Sequence, residues 1–280
     1  MIQNLIESLR FEKELEPKDG LFCPQSSMYK PIKDPGGKFR FYFGDKTLQA
    51  INGVAGIDLN ELRPLPKRIY DKCNELGFLR PMPLHCLVDV QPAANQRNSG
   101  MTLTKMHSPM PMDNCLVDRS IVLFLPSILA DIKAMKYNNA AVVQLLRGRE
   151  RDQWYAEDVR DSAAIIRAEM KMALSHEMVH AFATDEYFGM MGKLGLDLLE
   201  LLTDAITVAV FYEDYMFESP STRTGFTRGL AYLANMIRRE RAALISSEAM
   251  VELMHQRAQK IIKKCQAILN PETEMVQLEA

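Results

Sequence analysis

Hydrophobic positions along the chain follow two regimes. Up to about residue 126 they come in short runs or alternate. "KFRFYFG" (38–44) alternates aromatics and predicts a strand, and "LHCLVDV" (84–90) predicts a buried one. "SIVLFL" (120–125) is the strongest strand signal and is stopped by Pro126. A short strand is also predicted at "MTLTKM" (101–106), within an Asn/Gly/Met/Pro-rich loop over 91–114. Residues 1–14 and 65–78 have helical periodicity, the second with Gly77 near its end. The stretch between 14 and about 37 is rich in Pro, Gly and Lys and reads as loop. From about residue 127 onward the apolar spacing is helical throughout. Helices are predicted at roughly 127–147, 157–184, 194–216, 222–243 and 246–268. Strands followed by helices give an α+β fold: a small mixed sheet, then a helical half. Residues 1–80 are assigned to an accessory or cap region and 81–280 to the main domain, with no linker marking the boundary.

The helix at 157–184 departs from an amphipathic pattern. Ile165, Ile166, Met172, Ala173, Leu174, Met178, Val179 and Phe182 cover most of its sides, so it is buried. It nevertheless carries "HEMVH", with His176 and His180 one turn apart on one face. Two such rings can reach one ion at about 2.0–2.1 Å. Glu177 lies about 100° round the helix, where a general base for a metal-activated water belongs. The plain alternative is a pair of core histidines with all ring nitrogens satisfied.

A hydrolytic zinc site needs a third protein ligand and an open position. The next helix, "GLDLLELLTDAITVAVFYEDY" (195–215), offers Glu200, 20 positions after His180, and Asp204 one turn further on. Gly189, Gly192 and Gly195 supply a turn between the two helices. Histidine pair, glutamate and following acid resemble the active-site pattern of the gluzincin metallopeptidases. The resemblance spans about residues 165–215 and implies a zincin-like fold. It implies one Zn2+ held by His176, His180 and Glu200, Asp204 orienting a ligand histidine, and Glu177 as base in peptide-bond hydrolysis. It also implies an edge strand ahead of the active helix that pairs with extended substrate, a place "SIVLFL" matches. Gluzincins further use a donor facing the oxyanion from a downstream helix. "TGFTRGLAYL" (224–233) is similar to that helix start, and Arg223 is the candidate donor, standing where the family has a His or Tyr nearby. Tyr215, Tyr232 and His255 stay open for that role.

Two other readings compete. Glu252 and His255 form a second Glu-x-x-His beside Glu177 and His180, the element of a carboxylate-bridged di-iron bundle. That reading leaves His176 and Asp204 without a role. A catalytically silent zincin-fold binding module is the other, against which the intact Glu177 speaks.

Composition narrows the partners. A net charge of -2 gives no basic surface for nucleic acid or anionic membrane, and the resemblance implies a peptide or protein substrate. Five scattered cysteines, odd in number and without C-x-x-C, argue against a disulfide scaffold and a thiolate zinc site. No Sec signal or membrane span is read, which gives a cytoplasmic expectation. Delivery by a specialised secretion machine needs no such signal, so export stays open, as do substrate and oligomeric state.

Overall fold

The computed structural model describes residues 29–79, 84–90, 100–104, 119–124, 160–183, 193–240 and 245–269. The expected helices at 1–14 and 127–147 lie outside these residues.

Among the described residues five strands form one mixed sheet: β1 (Tyr29–Lys33), β2 (Phe39–Gly44), β3 (Leu84–Val90), β4 (Gly100–Thr104) and β5 (Arg119–Leu123). Their order is β1-β2-β3-β5-β4. The outer pairs β1/β2 and β4/β5 are antiparallel, and β2/β3 and β3/β5 are parallel. The β1/β2 hairpin closes over "DPGGK" (34–38). Gly37 sits at φ 73° and donates its N–H to Asp34 O at 3.0 Å. A glycine meets that positive φ without steric cost, which is why the turn forms here. The Pro/Gly signal thus marks a hairpin turn, and Tyr29–Lys33, expected as loop, is a strand.

Parallel pairing of β2 with β3 demands a crossover. It is made by α1 (Asp45–Ala55), α2 (Leu59–Leu62) and α3 (Pro64–Glu75). The sheet therefore runs across the boundary expected at residue 80. Phe39, Phe41, Ile51 and Ile69 from one side share a core with Val88, Ile121 and Met178 from the other.

One expectation about the sheet is corrected. "SIVLFL" is not the edge strand. β5 lies between β3 and β4, and Ile121, Val122 and Leu123 are all buried, as the unbroken apolar run of an inner strand requires. Among the described residues the edge on that side is β4.

The described residues after the sheet form α4 (Ser162–Ala183), α5 (Leu196–Met216), α6 (Pro220–Gly229), α7 (Ala231–Glu240) and α8 (Ser247–Leu269). Asp161 opens α4 by accepting the amides of Ala163 and Ala164 at 3.1 and 3.0 Å. From Met172 to Ala183 every residue of α4 is buried. Near its end Phe182 meets Phe39, Phe41 and Tyr70 edge-on, with centroids 5.4–5.6 Å apart. Such contacts add about 0.5–1.5 kcal/mol per pair beyond burial, and they fix α4 to the sheet two residues past His180.

Against its other side lies α6. A Cβ on Gly225 would come within 2.4 Å of Ile165 O, and one on Gly229 within 2.5 Å of Met172 Cβ. The two glycines, one turn apart, let the helices approach at backbone distance. A buried Glu169–Arg228 pair, Oε2 to Nε 3.2 Å, crosses the same contact.

The single helix expected over 222–243 is two helices. Leu230 at φ -120°, ψ 56° breaks it, and α7 starts afresh at Ala231. No described helix is long and apolar enough to cross a membrane.

Candidate metal centre

α4 presents His176 and His180 on one face, and α5 presents Glu200 and Asp204 across from them. His176 Nε2 and His180 Nε2 are 3.1 Å apart. Glu200 Oε2 lies 3.1 Å from the first and 3.2 Å from the second. The three atoms form a nearly equilateral triangle. A tetrahedral ion with ligands at about 2.0–2.1 Å has ligand–ligand edges of roughly 3.3 Å, so the triangle is close to one face of such a shell. These three residues can hold a metal ion, and they are the group among the described residues that can.

Asp204 sets the chemistry of His176. Its Oδ1 is 2.7 Å from His176 Nδ1, and the carboxylate is fully buried. Accepting the Nδ1–H leaves the Nε2 lone pair aimed at the triangle. The other carboxylate oxygen accepts the Leu233 amide at 2.8 Å. That amide belongs to the first turn of α7, where the broken helix has no carbonyl to offer it. One aspartate therefore fixes the His176 imidazole and caps a helix.

Without a metal, a proton takes its place. Burial works against an imidazolium at His176, but the bonds to Asp204 and Glu200, with the Asp204 and Glu177 charges, outweigh it. They hold His176 well above the ordinary histidine value. Burial likewise favours a neutral Glu200, and its bonds to His176 and His180 overcome that and carry it well below the usual carboxylate range. A buried site that pulls two titrations apart in this way is built for a positive charge.

Glu177 is buried beside the triangle, and its charge is felt at His176. Its carboxylate Oε2 accepts a hydrogen bond from Thr102 Oγ1 at 2.7 Å. Thr102 lies on β4, 75 residues away in sequence, and strand pairing brings it there. No spacing rule points to it.

Tyr232, second residue of α7, stacks on the His176 ring with centroids 6.2 Å apart and planes 11° from parallel. It remains 44% exposed. Burial, then the charges of Glu200, Asp204 and Glu177, raise its pKa, which keeps the phenol a neutral donor.

Arg223 is engaged elsewhere. Its guanidinium donates to Met216 O at 3.1 Å, Glu218 O at 2.8 Å and Ser247 Oγ at 3.1 Å. It satisfies the carbonyls at the C-terminus of α5, which explains a cation at that point of the sequence. Tyr215 is buried against Phe226. Glu252 and His255 are likewise outside the triangle: Glu252 bonds Tyr212 and Gln256, and His255 stacks on Tyr212.

The described cysteines, Cys73, Cys86 and Cys265, are buried. Burial pushes the Cys73 thiol up to about 12, far from the thiolate a metal takes.

Comparison of the chain with protein-family models, with curated proteins and with solved structures finds no match, so the functional reading rests on this geometry and on the residue pattern that carries it.

Proposed function

We propose that the chain is a zinc-dependent peptidase of gluzincin type, acting on an extended peptide or protein segment. One observation carries the reading. Two imidazole nitrogens and a carboxylate oxygen converge at 3.1–3.2 Å, with a second carboxylate, Glu177, beside them and outside the triangle. Two neutral histidines and one carboxylate suit Zn2+ among common divalent ions. When bound, zinc would polarise the scissile carbonyl and acidify a water.

The chain's own residues supply the rest. Glu177 takes a proton from the attacking water and returns it to the leaving amine. Asp204 keeps His176 in the tautomer that offers Nε2. Tyr232 donates its phenol proton as a hydrogen bond to the developing oxyanion, the role sequence reasoning gave first to Arg223. Among the described residues β4 pairs with β5 alone, and its other side pairs with the substrate strand. An open mixed sheet whose antiparallel edge strand lies against the metal helix supports the zincin-like assignment.

The test is a metal analysis of the purified protein together with cleavage of a peptide library. Wild type is expected to carry one zinc per chain and to cut. Glu177→Gln is expected to keep the zinc and lose about 100-fold or more in rate. Zinc without any cleavage would leave a silent binding module instead. Two irons with near-ultraviolet charge-transfer bands would restore the di-iron reading.

A further inference from the structure

The edge strand reaches the candidate base through one side chain. Thr102, midway along β4 and paired with Ile121 of β5, places Oγ1 2.7 Å from Glu177 Oε2 and 3.0 Å from Glu177 O. A threonine hydroxyl has a single proton to donate. The charged oxygen is the nearer and the stronger acceptor, so the donation goes to Oε2.

We propose that Thr102 is a positioning residue for Glu177: its hydroxyl pins one carboxylate oxygen and so leaves the other, Oε1, to take and return the catalytic proton. The proposal rests on the reading of Glu177 as general base. A glutamate side chain has three rotatable bonds, and a carboxylate without a fixed partner has rotamers to choose from. Thr102 removes that choice. It is β-branched and stiff about χ1, and it sits on a strand locked to β5 and through it to β3. While the carboxylate is ionised, Oε2 accepts from Thr102. When the base carries a proton, Oε2 still accepts, so the proton resides on Oε1. No atom is gained or lost at Thr102 in the cycle.

The same bond has a second consequence. A peptide added to the outer edge of β4 takes its register from the strand that holds Thr102. The scissile bond and the base are then located by one piece of backbone. Misplacement of a reacting group by about 1 Å costs on the order of 100-fold, which is the scale at which such a tie matters.

Thr102→Val removes the hydroxyl and keeps the branch, and Thr102→Ser keeps the hydroxyl. Thr102→Ala repeats the deletion without placing a methyl against the carboxylate, should the valine variant fail to fold. Each is prepared as the full chain loaded with zinc. In crystal structures, Glu177 is expected to leave its wild-type rotamer in the Val and Ala variants and to keep it in the Ser variant. On a peptide that wild type cuts, kcat is expected to fall about tenfold or more in the Val variant, with KM and zinc content within about twofold of wild type. The Ser variant recovers most of the rate. A single unchanged Glu177 rotamer in the Val and Ala variants overturns the proposal, and so does an unchanged kcat. So does a loss carried by KM or by zinc content, which would make Thr102 a part of the strand and nothing more. Should wild type cut no peptide at all, the peptidase reading fails on its own, and the rotamer comparison alone decides the role of Thr102.

Discussion

Two helices of this protein carry Glu-x-x-His at identical spacing, and only one of them builds a site. On α4, Glu177 and His180 are buried, and His176 adds a third group on the same side. On α8, Glu252 accepts from Tyr212 at 2.5 Å, and His255 stacks on that ring at 3.9 Å while its Nε2 faces Gln259 at 2.9 Å. The difference is not in the motif. Across from α4, α5 supplies Glu200 and Asp204 in a desolvated setting. Across from the α8 pair, α5 supplies a tyrosine. A helical spacing sets where donors point; the facing element decides whether they meet others.

The largest expected effect removes the facing donor. Glu200→Ala takes one of three ligand atoms, so zinc affinity should fall by more than the roughly 10–100-fold that losing an outer partner costs. Glu252→Ala should leave it untouched. Competition with a chromophoric chelator measures both. Equal affinities in the two variants would erase the distinction between the helices.

Asp204→Asn comes next. An asparagine has the shape of aspartate but one acceptor oxygen, whereas Asp204 accepts from both His176 and Leu233. One buried donor loses its partner and faces an amide N–H instead. Zinc affinity should drop about 10–100-fold. The metal-free protein should lose on the order of 1–3 kcal/mol, read as a lower melting temperature. A variant that lost zinc affinity at unchanged stability would mean that Leu233 does not depend on this carboxylate.

The pH dependence separates the helices without mutation. His176 is raised above its ordinary 6.5, so its pairing stabilises the metal-free protein fully below that value and is lost as pH rises through the raised one. Glu200 is lowered from 4.5, so its share is present above 4.5 and is lost as pH falls. The pair therefore supports the metal-free fold best between 4.5 and 6.5. Zinc needs His176 deprotonated, so its affinity should rise with pH while metal-free stability declines. Zinc titrations between about pH 6 and 8, beside melts without metal, test the opposed slopes. A flat affinity would mean that no proton is displaced.

How much of this was legible in the sequence follows the same division. His176, Glu177, His180, Glu200 and Asp204 lie on two successive helices, and 3.6-residue periodicity places each on its face. The meeting of those faces is a single helix–helix contact. Thr102 depends instead on β4 being paired outside β5, an order of strands that alternation along each strand does not encode. Tyr232 depends on the break at Leu230, which turns one expected helix into two and points a fresh N-terminus at Asp204. Arg223 had a plain reason to be where it is, the C-terminal carbonyls of α5, visible only once the chain folds back. The close approach of α6 to α4 did leave a mark, Gly225 and Gly229 four apart, which reads as a packing groove only when a partner helix is known.

The smallest effect belongs to the α8 cluster and tests whether it is merely structural. Tyr212 donates to Glu252, and that bond, then burial and the neighbouring acids, push the phenol up to about 12. The group is half-buried at the edge of the core, and solvent screening means the shift says little about stability. What remains is a stacked pair of rings at 3.9 Å with planes 18° apart, joining α5 to α8. Stacked aromatic pairs contribute about 0.5–1.5 kcal/mol, and exposure places this one at the low end. His255→Ala should therefore lower the melting temperature by a few degrees at most, with zinc content and peptide cleavage unchanged. Its α4 counterpart, His180→Ala, should abolish zinc binding at the same motif position. A His255 variant that lost metal would move the second Glu-x-x-His from the packing between α5 and α8 into the chemistry of the site.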